Sequence, residues 1–123
     1  MPLDVLIVDD SAAIRKILHR ALVRAQLPLG KVVEANDGCE ALQKLEAEPV
    51  GLILADIDMP NMDGIELLSK LKALDAYKSV PVLMITADGS QEKVLQALDL
   101  GAAGYVLKPF TSEQIKEKLV GLV

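Results

Sequence analysis

Residues 3–10 read Leu-Asp-Val-Leu-Ile-Val-Asp-Asp. Six residues, apolar but for Asp4, run straight into two acids. A short continuous apolar run of this kind reads as a strand buried on both faces. An abrupt change to paired carboxylates marks the point where such a strand leaves the core. The same pattern returns at Leu52–Ala55, which ends on Asp56, and at Val80–Ile85, which ends on Thr86. Tyr105–Leu107 closes on Lys108-Pro109. Lys31–Ala35 is a fifth short strand, followed by the turn signal Asn36-Asp37-Gly38.

Between these strands the apolar period changes to that of a helix. Ile14, Ile17, Leu18, Ala21, Leu22 and Ala25 form one helix face, with Pro28 and Gly30 as its stop. Ala41, Leu42 and Leu45 mark a second helix, ending before Pro49. After a polar loop from Ile57 to Gly64, where Asp63-Gly64 serves the turn, Ile65, Leu67, Leu68 and Leu71 begin a third. Asp88-Gly89-Ser90 leads into a fourth, whose apolar face is Val94, Leu95 and Leu98, with Gly101 as its cap. Thr111 and Gln114 fit a capping box for a fifth helix with Ile115, Leu119 and Leu122. Five βα units imply an α/β fold with a parallel sheet and helices on both faces. The expected architecture is the flavodoxin-like doubly wound (βα)5 sheet, strand order 2-1-3-4-5.

At 123 residues the chain is the size of one domain, expected over residues 1–123 with no output domain. Aromatics are so few (Tyr77, Tyr105 and Phe110) that the core must be aliphatic. A net charge of -5 argues against direct nucleic-acid binding and against anionic membranes. One cysteine, Cys39, and one histidine, His19, exclude an internal disulfide and a Cys- or His-rich metal site. Cys39 is expected to pack at the second helix's start, and His19 to lie at the surface. With neither a signal peptide nor a membrane span, the expected location is the cytoplasm.

Ligands of open parallel sheets bind beyond the carboxyl ends of the strands. In the order 2-1-3-4-5 those ends bring together Asp9 and Asp10 from strand one, Asp56 from strand three, Thr86 from strand four and Lys108 from strand five. Clustered carboxylates repel, and a hard divalent cation such as Mg²⁺ resolves the repulsion. Acids, cation, ammonium and hydroxyl together make a phosphoryl site, and a carboxylate can itself accept a phosphoryl group. Neither GxxxxGK[ST] nor GxGxxG occurs, so there is no nucleotide cradle.

Four pieces now stand at the right strand ends. They are Leu6-Ile7-Val8-Asp9-Asp10; Asp56-Ile57-Asp58-Met59-Pro60 with Met62-Asp63-Gly64; Thr86-Ala87; and Lys108-Pro109-Phe110. Together they resemble the response-regulator receiver domain, most closely its stand-alone, CheY-like members, over nearly the whole chain. The resemblance implies Mg²⁺-dependent phosphoryl transfer to Asp56 from a sensor histidine kinase or a histidine-phosphotransfer protein. It implies Asp10 as direct Mg²⁺ ligand, Asp9 as a helper through water, and the Asp58 backbone carbonyl as a third ligand. Lys108 would pair with the phosphoryl oxygens, Thr86 would reorient to hydrogen-bond them, and Tyr105 would swing inward. That motion would remodel the face of the fourth helix, fifth strand and fifth helix for an effector protein. A cis Lys108-Pro109 bond, a monomer, and no enzymatic activity beyond self-phosphorylation and autodephosphorylation are further implications. Asp58 and Asp88 occupy positions that vary in the family and are thought to tune phosphoryl lifetime.

Three alternatives stay open from the sequence. One is a phosphorelay intermediate or phosphate sink; chemotaxis against another pathway is likewise undecided. The second is a small phosphatase with an Asp nucleophile, for which 123 residues leave no cap domain. The third is a flavodoxin-like electron carrier, disfavoured by the acidic first loop and the scarcity of aromatics.

Overall fold

The computed structural model describes residues 2–87 and 91–122. The elements alternate from end to end: β1 (Leu3–Val8), α1 (Ala12–Arg24), β2 (Leu29–Ala35), α2 (Gly38–Ala47), β3 (Leu52–Asp56), α3 (Gly64–Lys72), β4 (Val82–Thr86), α4 (Gln91–Asp99), β5 (Gly104–Leu107) and α5 (Ser112–Leu119). All paired strands run parallel, in the order β2-β1-β3-β4-β5. The expected topology is therefore the observed one.

Successive side chains of a strand point to opposite faces, and here both faces are covered. Leu6, Val8, Ile53, Ala55, Val82 and Met84 pack with Ala41 and Leu45 of α2, Leu67, Leu68 and Leu71 of α3, and Ala97 of α4. Val5, Ile7, Leu52, Leu54, Leu83, Ile85 and Val106 pack with Leu18, Ala21 and Leu22 of α1 and Ile115 and Leu119 of α5. Two buried faces explain why the strands read as unbroken apolar runs rather than alternating ones. The three aromatics contribute little beyond Tyr77, which is buried and donates its hydroxyl to the Leu45 carbonyl at 2.8 Å.

Several local expectations change. The first helix stops at Arg24, and Gln26 takes a positive φ of 61°. Gly30 is not its stop but part of β2, where a Cβ would lie 2.3 Å from Asp4 Oδ1. β4 starts at Val82, not Val80, because Pro81 has no N–H to give a ladder. Cys39 stands at the start of α2 but is exposed. Helix α4 buries Val94 and Ala97 and leaves Leu95 and Leu98 57% and 41% exposed. The capping box of α5 and the positive φ of Gly101 (104°) are both present. Asp63 proves to be the N-cap of α3, accepting from the Glu66 amide.

Candidate functional site

Strand register decides which side chains meet. Val8 of β1 pairs with Ala55 of β3, so Asp9 and Asp56 stand level on adjacent strands. Asp56 pairs with Ile85, and Thr86 with Leu107, which steps the row onward to Lys108. Asp9 continues the parity of Val5 and Ile7, Asp56 that of Leu52 and Leu54, and Lys108 that of Val106. These three therefore share one face of the sheet. Thr86 continues the opposite row, after Val82 and Met84, on the face that α2, α3 and α4 cover.

The result is a compact charged cluster. Asp9 is fully buried, Asp56 is 5% exposed and Asp10 faces solvent. Carboxylate oxygens of all three lie within 4.8 Å of one another. Lys108 Nζ donates to Asp9 Oδ2 at 2.9 Å and lies 3.4 Å from Asp56 Oδ2. The Ser11 amide donates to Asp9 Oδ1 at 2.9 Å, while Ser11 itself caps α1 through the Ile14 amide. Gly64 packs against the backbone of Asp56; a Cβ there would sit 2.1 Å from the Asp56 carbonyl oxygen. A side chain at that position and the present path of the acid-bearing loop exclude each other.

Electrostatics follow the geometry. Burial and the neighbouring Asp9 charge push the Asp56 carboxyl up to about 6 from an ordinary 3.8. The charge and hydrogen bond of Lys108, and the Asp58 amide, pull the other way. Burial works against the Lys108 ammonium, but the hydrogen bond with Asp9 and the charges of Asp56 and Asp9 outweigh it. Its pKa is raised above the ordinary lysine value. One ammonium offsets only one of three clustered acids. An oxygen-rich, under-neutralised set with one exposed member suits a hard divalent cation that keeps waters, as Mg²⁺ does.

The other expected residues are placed as follows. Thr86 is fully buried at the end of β4. The Asp58 side chain turns away to pair with Lys93 of α4 at 3.2 Å. Tyr105 is half-buried on β5, beside a cleft of about 340 Å³ lined by Gln91, Val94, Leu95 and Leu98. Lys118 Nζ lies 5.5 Å from its ring centre. The Lys108-Pro109 bond is cis. Asp88 lies outside the described residues. Sequence reasoning missed Arg15, whose guanidinium reaches the Asp9 carbonyl at 2.6 Å, and Asn61, which reaches Asp37. Both act through backbone or polar contacts that no spacing announces.

Comparison with known proteins agrees with this arrangement. A family model described as the response regulator receiver domain matches residues 5–120. The chain belongs to the response-regulator receiver-domain family. Similar proteins include chemotaxis protein CheY1 of Helicobacter pylori, 40% identical over 93% of this chain and 91% of that protein. Chemotaxis protein CheY-3 of Vibrio cholerae is also 40% identical, over 94% of this chain and 87% of its own length. Among solved structures, CheY4 of Vibrio cholerae superposes with a TM-score of 0.89 at 34% identity, covering both chains completely. The CheX-CheY-BeF3-Mg complex of Borrelia burgdorferi gives 0.89 at 32% identity, over 98% of this chain and 89% of that one. This receiver domain is thus a CheY-like, two-component response regulator that signals through phosphorylation. Receiver domains bind Mg²⁺ at an acidic pocket, which here corresponds to the group Asp9, Asp10 and Asp56. Membership implies interaction with kinases and effectors. Among the described residues no helix is long and apolar enough to cross a membrane.

Proposed function

We propose that Asp56 is the phosphoacceptor, taking its group from a phosphohistidine on a sensor kinase or a histidine-phosphotransfer protein. An Asp56 carboxylate oxygen forms the new P–O bond as the donor P–N bond breaks; the imidazole leaves and takes up a proton from water. The observation that carries this reading is the Lys108 ammonium facing both Asp9 and Asp56 at the sheet edge. The transferred group brings about -1.5 to -2 charge beside existing acids. Lys108 offsets part of it by pairing with the phosphoryl oxygens. Asp10 and Asp56 and the Asp58 backbone carbonyl would hold Mg²⁺, with Asp9 assisting through water. When bound, the ion supplies the remaining charge compensation.

The Thr86 hydroxyl, which continues the opposite row of β4, then reorients to hydrogen-bond the phosphoryl group, and Tyr105 moves inward over the cleft beside α4. A contact that exists only in the phosphorylated state biases a two-state equilibrium, which is what a switch requires. The effector binds the α4-β5-α5 face, where Leu95, Leu98 and Leu107 are exposed. The protein works as a cytoplasmic monomer and turns over no external substrate beyond its own phosphorylation and dephosphorylation. Incubation with acetyl phosphate and Mg²⁺, followed by intact mass, tests the reading. One added phosphoryl group is expected, absent when the metal is chelated. No added group, or one acquired equally without metal, contradicts it.

A further inference from the structure

The three acids stand where two neighbouring strands, β1 and β3, meet their following loops. Asp9 and Asp10 belong to the β1–α1 loop, and Asp56 is the last residue of β3, from which the β3–α3 loop departs. Because β1 lies between β2 and β3, the β2–α2 loop flanks this site without contributing an acid to it. That loop is nonetheless where the other two are tied.

Arg15, only 14% exposed, sits in the first turn of α1 and folds back over the sheet edge. Its Nη1 donates to the Asp9 carbonyl at 2.6 Å and to Asn36 Oδ1 at 2.9 Å. Its Nε donates to Glu34 Oε1 at 2.8 Å. From the other side, Asn61 donates its amide to Asp37 Oδ2 at 2.8 Å. Asn61 does so from a left-handed backbone, φ 66°, which asparagine tolerates better than most residues. Asn36 and Asp37 are themselves held. The Asn36 amide donates to Glu40 Oε1, and Asp37 Oδ1 accepts from the Glu40 amide, each at 2.9 Å. A continuous path therefore runs from the Asp9 backbone through Arg15, Asn36, Asp37 and Asn61 to the loop that begins at Asp56.

We propose that Asn36 and Asp37 are a brace joining the two acid-bearing loops, with Arg15 and Asn61 as positioning residues that set the affinity for the divalent cation. This rests on the reading of Asp9, Asp10 and Asp56 as the cation site. Like charges within 4.8 Å push those loops apart in the metal-free protein. Without the brace, the cation must gather the carboxylates itself, and outer contacts of this kind are worth about 10–100-fold in metal affinity.

The test is a Mg²⁺ titration without phosphodonor, read by backbone amide NMR shifts. It compares the parent, Arg15→Met, Asn61→Gly and the double variant. Asn61→Gly tolerates the left-handed backbone and removes the side chain that carries the amide. Each single variant is expected to bind Mg²⁺ about tenfold more weakly. The double variant should lose little more, because one broken tie already frees the loops. Faster hydrogen exchange at the Ser11 amide in the metal-free protein should accompany the loss. The sign is informative for Arg15→Met, since deleting a positive charge near a cation site would by itself tighten binding. Affinities within about twofold of the parent, tighter binding, or losses that multiply in the double variant overturn the brace. Should Arg15→Met fail to fold, Asn61→Gly alone decides. A parent that binds no Mg²⁺ overturns the cation site itself, whereas parent binding with unchanged variants overturns only the brace.

Discussion

Replacing Lys108 by methionine slows phosphorylation of Asp56 by a small phosphodonor about 10²–10³-fold. The Lys108 ammonium is within reach of both buried carboxylates, 2.9 Å from Asp9 and 3.4 Å from Asp56. Its removal acts twice. It takes away a fixed positive charge aimed at the oxygens where charge accumulates during transfer. It also leaves Asp56 with burial and Asp9 pushing its pKa up and one fewer group pulling it down. In the metal-free protein the NMR titration of Asp56 is therefore expected near 6 for the parent and higher for the variant. Methionine keeps the apolar stem, so the β5–α5 junction should still pack. Lys108→Arg retains the charge but not the geometry, and only partial recovery is expected. A Lys108→Met protein that is phosphorylated at the parent's rate, with an unmoved Asp56 titration, contradicts the assigned role.

Asp56→Asn removes the proposed acceptor and, without Mg²⁺, is expected to make the fold more stable. A carboxyl whose folded pKa is about 6 against an ordinary 3.8 holds its proton more tightly in the folded state than in the unfolded one. Its contribution is thus complete below the ordinary value and disappears as pH rises through 6. At pH 7.5 the parent carries the whole penalty of ionising a nearly buried acid beside Asp9, about 2–3 kcal/mol. The neutral amide avoids it. For a domain of this size that corresponds to a rise of about 10 °C in melting temperature. The gain should shrink towards zero near pH 4, where the parent's Asp56 is protonated in the folded state. Mg²⁺ should narrow the gap as well, because it stabilises the parent by binding and has one carboxylate fewer to bind in the variant. Thermal unfolding at the two pH values, with and without metal, checks all three expectations. An Asn variant no more stable than the parent at pH 7.5 contradicts the raised pKa.

Much of this was legible in the residues themselves, for a physical reason. Strands buried on both faces must be apolar throughout, so LDVLIV (residues 3–8) and LILA (residues 52–55) announce themselves, and polar residues at their ends fall where ligands bind. The strand ends point to Asp9, Asp10, Asp56 and Lys108, which the fold brings together, and to Thr86, which ends β4 on the opposite row. Other features carry no such signature. Val94 with Ala97 and Leu95 with Leu98 have the same three-residue spacing, so periodicity does not say which pair turns inward. Burial of the smaller pair leaves two leucines on the outer surface, beside Tyr105. Gly30 resembles a helix stop, yet it belongs to an edge strand that Asp4 approaches too closely for a side chain. Arg15 is one of four basic residues on α1, and only the folded chain shows that it grips the Asp9 backbone.

The central claim is that the phosphoryl group rests on Asp56. After treatment with acetyl phosphate and Mg²⁺, borohydride reduces an aspartyl phosphate to homoserine, and peptide mapping locates it. Homoserine at position 56 alone is the expected result. Homoserine at position 9 or 10, or an unreduced Asp56 in protein that carries the added phosphoryl mass, would contradict the account.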